Sequence, residues 1–128
     1  VDRATRNEEA IVFHGWKPHW MDLKYDIRFL AADPEGKLAG MKTTIYTIVA
    51  NGWTDRRPQA ASFLEQFDVP VAAQSQWIAG YARDDRPVEE VASEWIGNNM
   101  DTVAQWVDGV ETADGGAGID AVRRQFGG

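Results

Sequence analysis

The chain has 128 residues, the length of a single domain, and it contains no cysteine. The lack of thiols excludes cysteine nucleophiles, thiolate zinc sites and disulfide chemistry, although it leaves the cellular compartment open. A formal net charge of −7 argues against nucleic acid as a partner, because a phosphate backbone requires a basic face.

The amino-terminal part of the chain predicts strands. Residues 1–9 are polar and typical of a helix end or a linker. A buried strand is predicted at residues 10–14, and a half-buried strand at 25–30, where polar and apolar residues alternate. After a turn at residues 33–36, the β-branched residues of 43–50 predict a central strand covered by helices. The sequence predicts neither a signal peptide nor a membrane-spanning helix.

The remainder of the chain is predicted to be helical, because its apolar residues recur at helical spacing. The successive apolar stripes begin at Ala60, Val71, Val88, Val103 and Ile119. Three tryptophans on these stripes are predicted to pack in the core, namely Trp77, Trp95 and Trp106. The helix that follows Pro87 is predicted to be capped by Asp84 or Asp85.

The segment Gly15-Trp16-Lys17-Pro18-His19-Trp20-Met21 follows the first predicted strand. Neither a helical nor a strand period accounts for its aromatic residues. Ligands of open α/β sheets bind beyond the carboxyl ends of strands, so these side chains are placed to meet a small molecule. A tryptophan face attracts a cation that cannot donate hydrogen bonds. The alternative interpretation is an aromatic cluster that closes the edge of the sheet.

Other candidate motifs do not predict catalysis or a metal site. His14 and His19, with Asp22 and Asp26, match no metal-ligand spacing, and His14 is interpreted as a packed, hydrogen-bonded ring. The serines lie within helical stripes rather than in a nucleophile turn. The glycines at 115–118 follow a helix and lack the lysine of a phosphate loop. The sequence therefore predicts no enzyme, no metal and no cofactor.

The runs IVFHGWKPHWM, KYDIRFL, TIYTIVANGW and VEEVASEWIGNN resemble the substrate-binding proteins of bacterial ABC importers for glycine betaine, proline betaine and choline. The similarity covers nearly the whole chain, and the aromatic segment is its specific part. It implies an α/β fold, namely the carboxyl-terminal half of a type II periplasmic-binding-protein clamshell. This half would hold a short mixed or parallel sheet flanked by helices, with a helical carboxyl-terminal part. Within residues 1–128, residues 1–30 would belong to the second lobe and 43–128 to the first.

The same resemblance implies roles for three residues. Trp16 matches an aromatic residue that boxes the trimethylammonium group, and His19 matches a donor to the ligand carboxylate. Trp20 would either form the pocket wall or lie behind the residues that contact the ligand. The remaining cage residues would lie in the other half of the domain. The implied partners are a betaine or choline and the membrane subunit of an ABC transporter, at a periplasmic or other extracytoplasmic, membrane-associated location. Uncovered strand edges of a half-clamshell also predict self-association of the fragment.

Two other classes of function are weighed against a solute-binding protein. An enzyme with an aromatic pocket is disfavoured, because the sequence offers no nucleophile, metal set or separated acid–base pair. A non-catalytic sensory or protein-interaction module built from the same half-fold would keep Trp16 and use Trp53 against a partner. These alternatives differ in whether a small molecule or a protein meets the aromatic residues.

Overall fold

The computed structural model describes residues 1–30 and 44–127. Eight helices lie in this part of the chain: α1 (Asp2–Arg6), α2 (Met21–Lys24), α3 (Trp53–Arg56), α4 (Pro58–Gln66), α5 (Val71–Ala82), α6 (Val88–Asn98), α7 (Met100–Trp106) and α8 (Gly118–Phe126). The predicted turn at 33–36 lies outside the described residues, as does the predicted crossing between lobes. None of the described helices has the length and apolar composition needed to cross a bilayer.

The predicted helical stripes are confirmed, since each of the five lies on one of the helices α4 to α8. α5 packs against α6, α4 packs against α7, and α8 packs against both α6 and α7. Gly80 lies at a close contact between α5 and α6, because a Cβ atom there would come within 2.9 Å of Val91 Cγ2. These contacts make one helical unit of the carboxyl-terminal part.

A column of aromatic rings forms the centre of this unit. The rings of Trp77 and Trp95 meet edge to face at 5.0 Å, and those of Trp95 and Trp106 stack at 5.5 Å. Phe67 extends the column with a contact of 4.6 Å to Trp106. Trp106 is buried, and its indole N–H donates to the backbone oxygen of Asp68 at 2.9 Å. The predicted packing role of the three tryptophans is therefore confirmed.

The predicted cap of α6 is wrong. The residue directly before the helix is Pro87, and no side chain makes a capping hydrogen bond there. Asp85 and Asp84 lie two and three residues before Pro87, and the backbone of Asp85 has a positive φ of 53° in the turn that precedes Pro87. The start of α6 is held by ion pairs instead of a cap. Arg86 pairs with Glu90 at 2.8 Å, and it also pairs with Glu94 in the next turn of the helix.

The predicted sheet stays a prediction. Residues 10–14, 25–30 and 44–50 form no paired strand, and the described residues hold a single isolated bridge, between Glu111 and Ala117. The predicted burial of two of these segments is wrong, because Val12 is 81% exposed and Ile45 is 90% exposed. A strand needs a neighbouring strand to take its backbone hydrogen bonds, and no described segment pairs with any of these three segments.

The amino-terminal helix is fastened to α2 by a small polar network. One carboxylate oxygen of Asp2 accepts hydrogen bonds from Lys24 Nζ at 2.7 Å and from the Tyr25 hydroxyl at 2.5 Å. These bonds to the ionised form lower the pKa of Asp2 from 3.8 to about 2, and they raise the pKa of Lys24. The network holds α1 beside α2, and α2 begins at Met21, the last residue of the aromatic segment.

This lowered pKa predicts a pH dependence of stability. Because the pKa of Asp2 is lower in the folded state, the stabilisation is present above the unfolded value of 3.8 and is lost as the pH falls through about 2. We expect Asp2→Asn to be less stable than the wild type at neutral pH, and the gap to close as the pH falls below 3.8. Urea unfolding of both proteins across this range measures the gap. A gap that is independent of pH would contradict the assignment.

Candidate functional site

The aromatic segment places its rings in contact with one another. The rings of Trp16 and His19 meet edge to face at 5.2 Å, and those of His19 and Trp20 lie 5.4 Å apart. Tyr25 continues the row with a distance of 6.2 Å to Trp20, and His14 lies 5.9 Å from Trp16 at its other end. The structure thus brings together the three residues that the sequence analysis singles out. We refer to Trp16, His19 and Trp20 as the aromatic cluster.

The two tryptophans of the aromatic cluster differ in what they can offer to a ligand. Trp16 is 54% exposed, whereas Trp20 is half-buried. Lys24 Nζ lies 5.6 Å from the Trp20 ring and 4.8 Å from the Tyr25 ring, so a cation of the protein already lies against them. Trp16 is therefore the indole of the cluster with the more accessible face.

His19 is held at its backbone and at its ring. Its backbone N–H donates to the Ser75 hydroxyl at 3.2 Å, and its Nδ1 accepts the backbone N–H of Met21 at 3.2 Å. Because Nδ1 acts as an acceptor, the proton of the neutral ring lies on Nε2. The arrangement leaves Nε2–H as the donor of the imidazole.

Two residues of this site were not predicted from the sequence. Ser75, on α5, is fully buried and donates its hydroxyl proton to Asp22 Oδ2 at 3.2 Å. Asp22 also lies 3.8 Å from Lys17 Nζ, and its side chain is only 10% exposed. The available signal was a hydroxyl at position 75 of an otherwise apolar stripe, because a buried hydroxyl needs a partner.

Other predictions about candidate sites have different outcomes. His14 is exposed, so its interpretation as a packed histidine is wrong, because none of the described residues forms a strand beside the segment that carries it. Within the described ranges, no group of three or more acidic or histidine side chains is arranged to hold a metal ion. Trp53, whose environment the sequence left open, is half-buried at the start of α3.

Two open clefts of the described residues lie apart from the aromatic cluster. One cleft, of about 230 Å³, lies between α5 and α6 and is lined by Trp77, Arg86 and Trp95 among others. The other, of about 520 Å³, lies between the end of α7 and α8. No residue of the aromatic cluster lines either of these two clefts.

Residues 1–98 match the profile of a family described as the substrate binding domain of ABC-type glycine betaine transport systems. The chain belongs to this family. The matched range contains the whole aromatic cluster and extends through α6. The resemblance noted in the sequence is thereby confirmed, and the family is one of transport binding proteins rather than of enzymes.

Two related proteins are longer than this chain and match it over only part of their length. The glycine betaine/carnitine transport binding protein GbuC of Listeria monocytogenes serotype 1/2a (strain 10403S) is 37% identical over 115 residues, which cover 90% of this chain and 37% of that protein. A solved ABC-transporter choline binding protein in complex with choline matches with a TM-score of 0.70 at 24% identity, covering 98% of this chain and 44% of that one. The fold is therefore that of part of a periplasmic binding protein, and the chain spans less than half the length of either relative.

Proposed function

We propose that this chain is part of the solute-binding component of an ABC importer that captures a quaternary ammonium compatible solute. The candidates are glycine betaine, a related betaine and choline. The observation that carries the proposal is the exposed Trp16 ring beside the His19 ring, whose Nδ1 is already an acceptor, in a chain of the glycine betaine family. The protein would act in the periplasm or at the outer face of the membrane and deliver its ligand to the membrane subunit.

The two groups of such a ligand match the two neighbouring side chains. A trimethylammonium group presents only methyl groups, so the face of an indole attracts it through the ring quadrupole rather than by a hydrogen bond. A carboxylate needs a donor, and Nε2–H of His19 is one within the reach of a small molecule, since the rings of His19 and Trp16 are 5.2 Å apart. Trp20, with Lys24 against it, would form the wall of the pocket.

The remaining walls of the cage would come from the rest of a two-lobed domain. In this arrangement residues 1–30 belong to one lobe and residues 43–128 to the other, and closure of the lobes excludes water from the ligand. The lengths of the relatives support a further part of the domain, since this chain spans only 37% of one and 44% of the other. Closure strengthens both attractions, because they act in a medium of lower dielectric constant.

The proposal is tested by comparing glycine betaine with glycine as ligands of the two-lobed assembly, that is, the complete domain that contains this chain and the remaining walls of the cage. Both molecules carry the carboxylate, and only glycine betaine carries the methylated ammonium group. Calorimetric titration is expected to show binding of glycine betaine and none of glycine under the same conditions. Equal affinity for both would contradict an aromatic cage, because the indole face would then make no distinction.

Replacement of His19 separates the two ends of the ligand. We expect His19→Ala to weaken glycine betaine by about tenfold, the loss of one hydrogen bond to a charged group, and to weaken choline less. Choline has no carboxylate to leave without its donor. Titration of both ligands into the wild type and the variant measures the difference. Equal losses for the two ligands would contradict the role of His19 as a carboxylate donor.

We also propose that the 128-residue chain by itself self-associates. Residues 44–50 are exposed and form no paired strand, and Ile45 and Ile48 are 90% and 89% exposed. Such segments bind other extended segments through their free backbone groups and apolar side chains. A second copy offers the same segment, so an exchange of elements between copies would cover both.

Sedimentation of the purified chain tests this part of the proposal. We expect species larger than a monomer at micromolar concentration, and we expect Ile48→Lys to shift the distribution toward monomer, since a charge on an exposed edge opposes pairing. Because Ile48 makes little contact within the chain, this variant should remain folded. A wild-type chain that stays monomeric over the whole concentration range would overturn the proposal of self-association.

A further inference from the structure

Ser75 is a fully buried serine on α5, at 0% exposure, and its hydroxyl bonds to residues outside its own helix. A helical serine commonly donates to the carbonyl four residues before it. Here the proton goes to Asp22 Oδ2 at 3.2 Å, and the oxygen accepts the backbone N–H of His19 at 3.2 Å. One hydroxyl therefore holds two points of a segment that is more than 50 residues away in sequence.

These two bonds act on the part of His19 that would meet a ligand. The backbone of His19 is fixed by Ser75, and its ring is fixed by the Met21 N–H at Nδ1, so the position of Nε2 is determined from both sides. The second bond holds Asp22, which in turn lies 3.8 Å from Lys17 Nζ, next to Trp16 in sequence. The hydroxyl thus supports both sides of the contact between Trp16 and His19.

The buried carboxylate makes this support energetically relevant. The Asp22 side chain is 10% exposed, and within the described residues its Oδ1 has no hydrogen-bond partner. A buried carboxylate with one unpartnered oxygen depends on its remaining contacts, which here are the Ser75 hydroxyl and the partly exposed Lys17. Loss of the hydroxyl would therefore release Asp22 as well as His19.

We propose that Ser75 is a positioning residue of the ligand site, whose hydroxyl holds His19 and Asp22 so that the His19 ring stays next to the Trp16 ring, at a centroid distance of 5.2 Å. Ser75 acts through His19 and does not itself touch the ligand. The inference deepens the proposed function and rests on it for the identity of the ligand, a quaternary ammonium compound with a carboxylate. The support of the His19 ring is independent of that identity.

The first experiment measures the state of the His19 ring in the 128-residue chain by the ¹⁵N NMR shifts of its two nitrogens. The chain has two histidines, so exposed His14 provides an internal reference. In the wild type we expect a single neutral form with the proton on Nε2. In Ser75→Ala we expect a mixture of the two tautomers, because the segment that brings the Met21 N–H to Nδ1 is no longer held. Ser62→Ala, a half-buried serine on α4, is the matched control and should leave the ring unchanged.

A second variant covers the case in which Ser75→Ala does not fold. Asp22→Ala removes the other bond of the Ser75 hydroxyl, and it should fold because it removes a buried oxygen that has no partner among the described residues. We expect a smaller shift toward the second tautomer than in Ser75→Ala. A His19 ring that keeps the Nε2–H form in every folded variant of the two would overturn the proposal.

The second experiment measures affinity for glycine betaine in the two-lobed assembly. We expect Ser75→Ala to lower it by about tenfold, the loss of one supporting hydrogen bond, with Ser62→Ala unchanged. An affinity that is unchanged in Ser75→Ala would overturn the positioning role. If the wild type binds no glycine betaine, the proposed function fails, and the NMR result still decides whether Ser75 sets the His19 ring.

Discussion

Replacement of Trp16 by alanine is expected to weaken the binding of a quaternary ammonium ligand by roughly 2 kcal/mol or more, which is roughly thirtyfold in Kd. The reason is that Trp16 is the indole of the aromatic cluster with the more accessible face, while Trp20 already has Lys24 against it. Once the site closes and water leaves, no remaining side chain of the cluster replaces that face. Calorimetric titration of glycine betaine into the two-lobed assembly measures the loss.

The control for this prediction is folding stability. Because Trp16 is 54% exposed, Trp16→Ala should change the free energy of unfolding by only about 1–2 kcal/mol, the range of its two ring contacts with His14 and His19. Trp20→Ala is the second comparison, and it should weaken the ligand less than Trp16→Ala. A folded Trp16→Ala protein with unchanged affinity for betaine would show that the indole does not form part of the cage.

Trp106→Ala is expected to have the opposite pattern, with a loss of about 3–5 kcal/mol in the free energy of unfolding. The side chain is 6% exposed, lies between Trp95 and Phe67, and satisfies the backbone oxygen of Asp68. Alanine would leave a cavity at the centre of the helical unit together with an unpartnered carbonyl. Since whole domains are stable by about 5–15 kcal/mol, this one change removes much of the total.

A milder variant separates the two contributions of Trp106. Trp106→Phe keeps a ring against Trp95 and loses the indole N–H, so we expect it to cost about 1–3 kcal/mol, from the lost hydrogen bond to Asp68 and the smaller ring. Trp95→Ala, at the middle of the column, should also lower stability. Urea unfolding of the variants orders them. A Trp106→Ala protein as stable as Trp16→Ala would contradict the assignment of the column as the core.

The helices were predictable because their signal is local. The stripe that includes Val88, Val91 and Trp95 predicts a helix, and α6 lies at Val88–Asn98. The cap of that helix was not predictable in the same way, since Pro87 directly before it favours a start that needs no side-chain bond. Periodicity identifies which residues share a face and does not identify how the chain enters the helix.

The strands and the supports of the site depend on contacts between distant residues. The alternation at residues 25–30 predicts an extended segment, and pairing requires a neighbour that the described part of the chain does not place beside it. The aromatic cluster was found from composition, because Trp16, His19 and Trp20 are close in sequence. Ser75 was not, since its partners lie 53 and 56 residues away.

The column of Trp77, Trp95 and Trp106 also has an optical consequence. Indole rings held 5.0 and 5.5 Å apart at fixed angles couple their electronic transitions, so circular dichroism in the near ultraviolet reports whether that packing persists. Trp16 lies in the amino-terminal segment and outside this column, and its fluorescence responds to whatever covers its face. Three of the six tryptophans therefore report on the integrity of the core, while Trp16 reports on what covers the aromatic cluster.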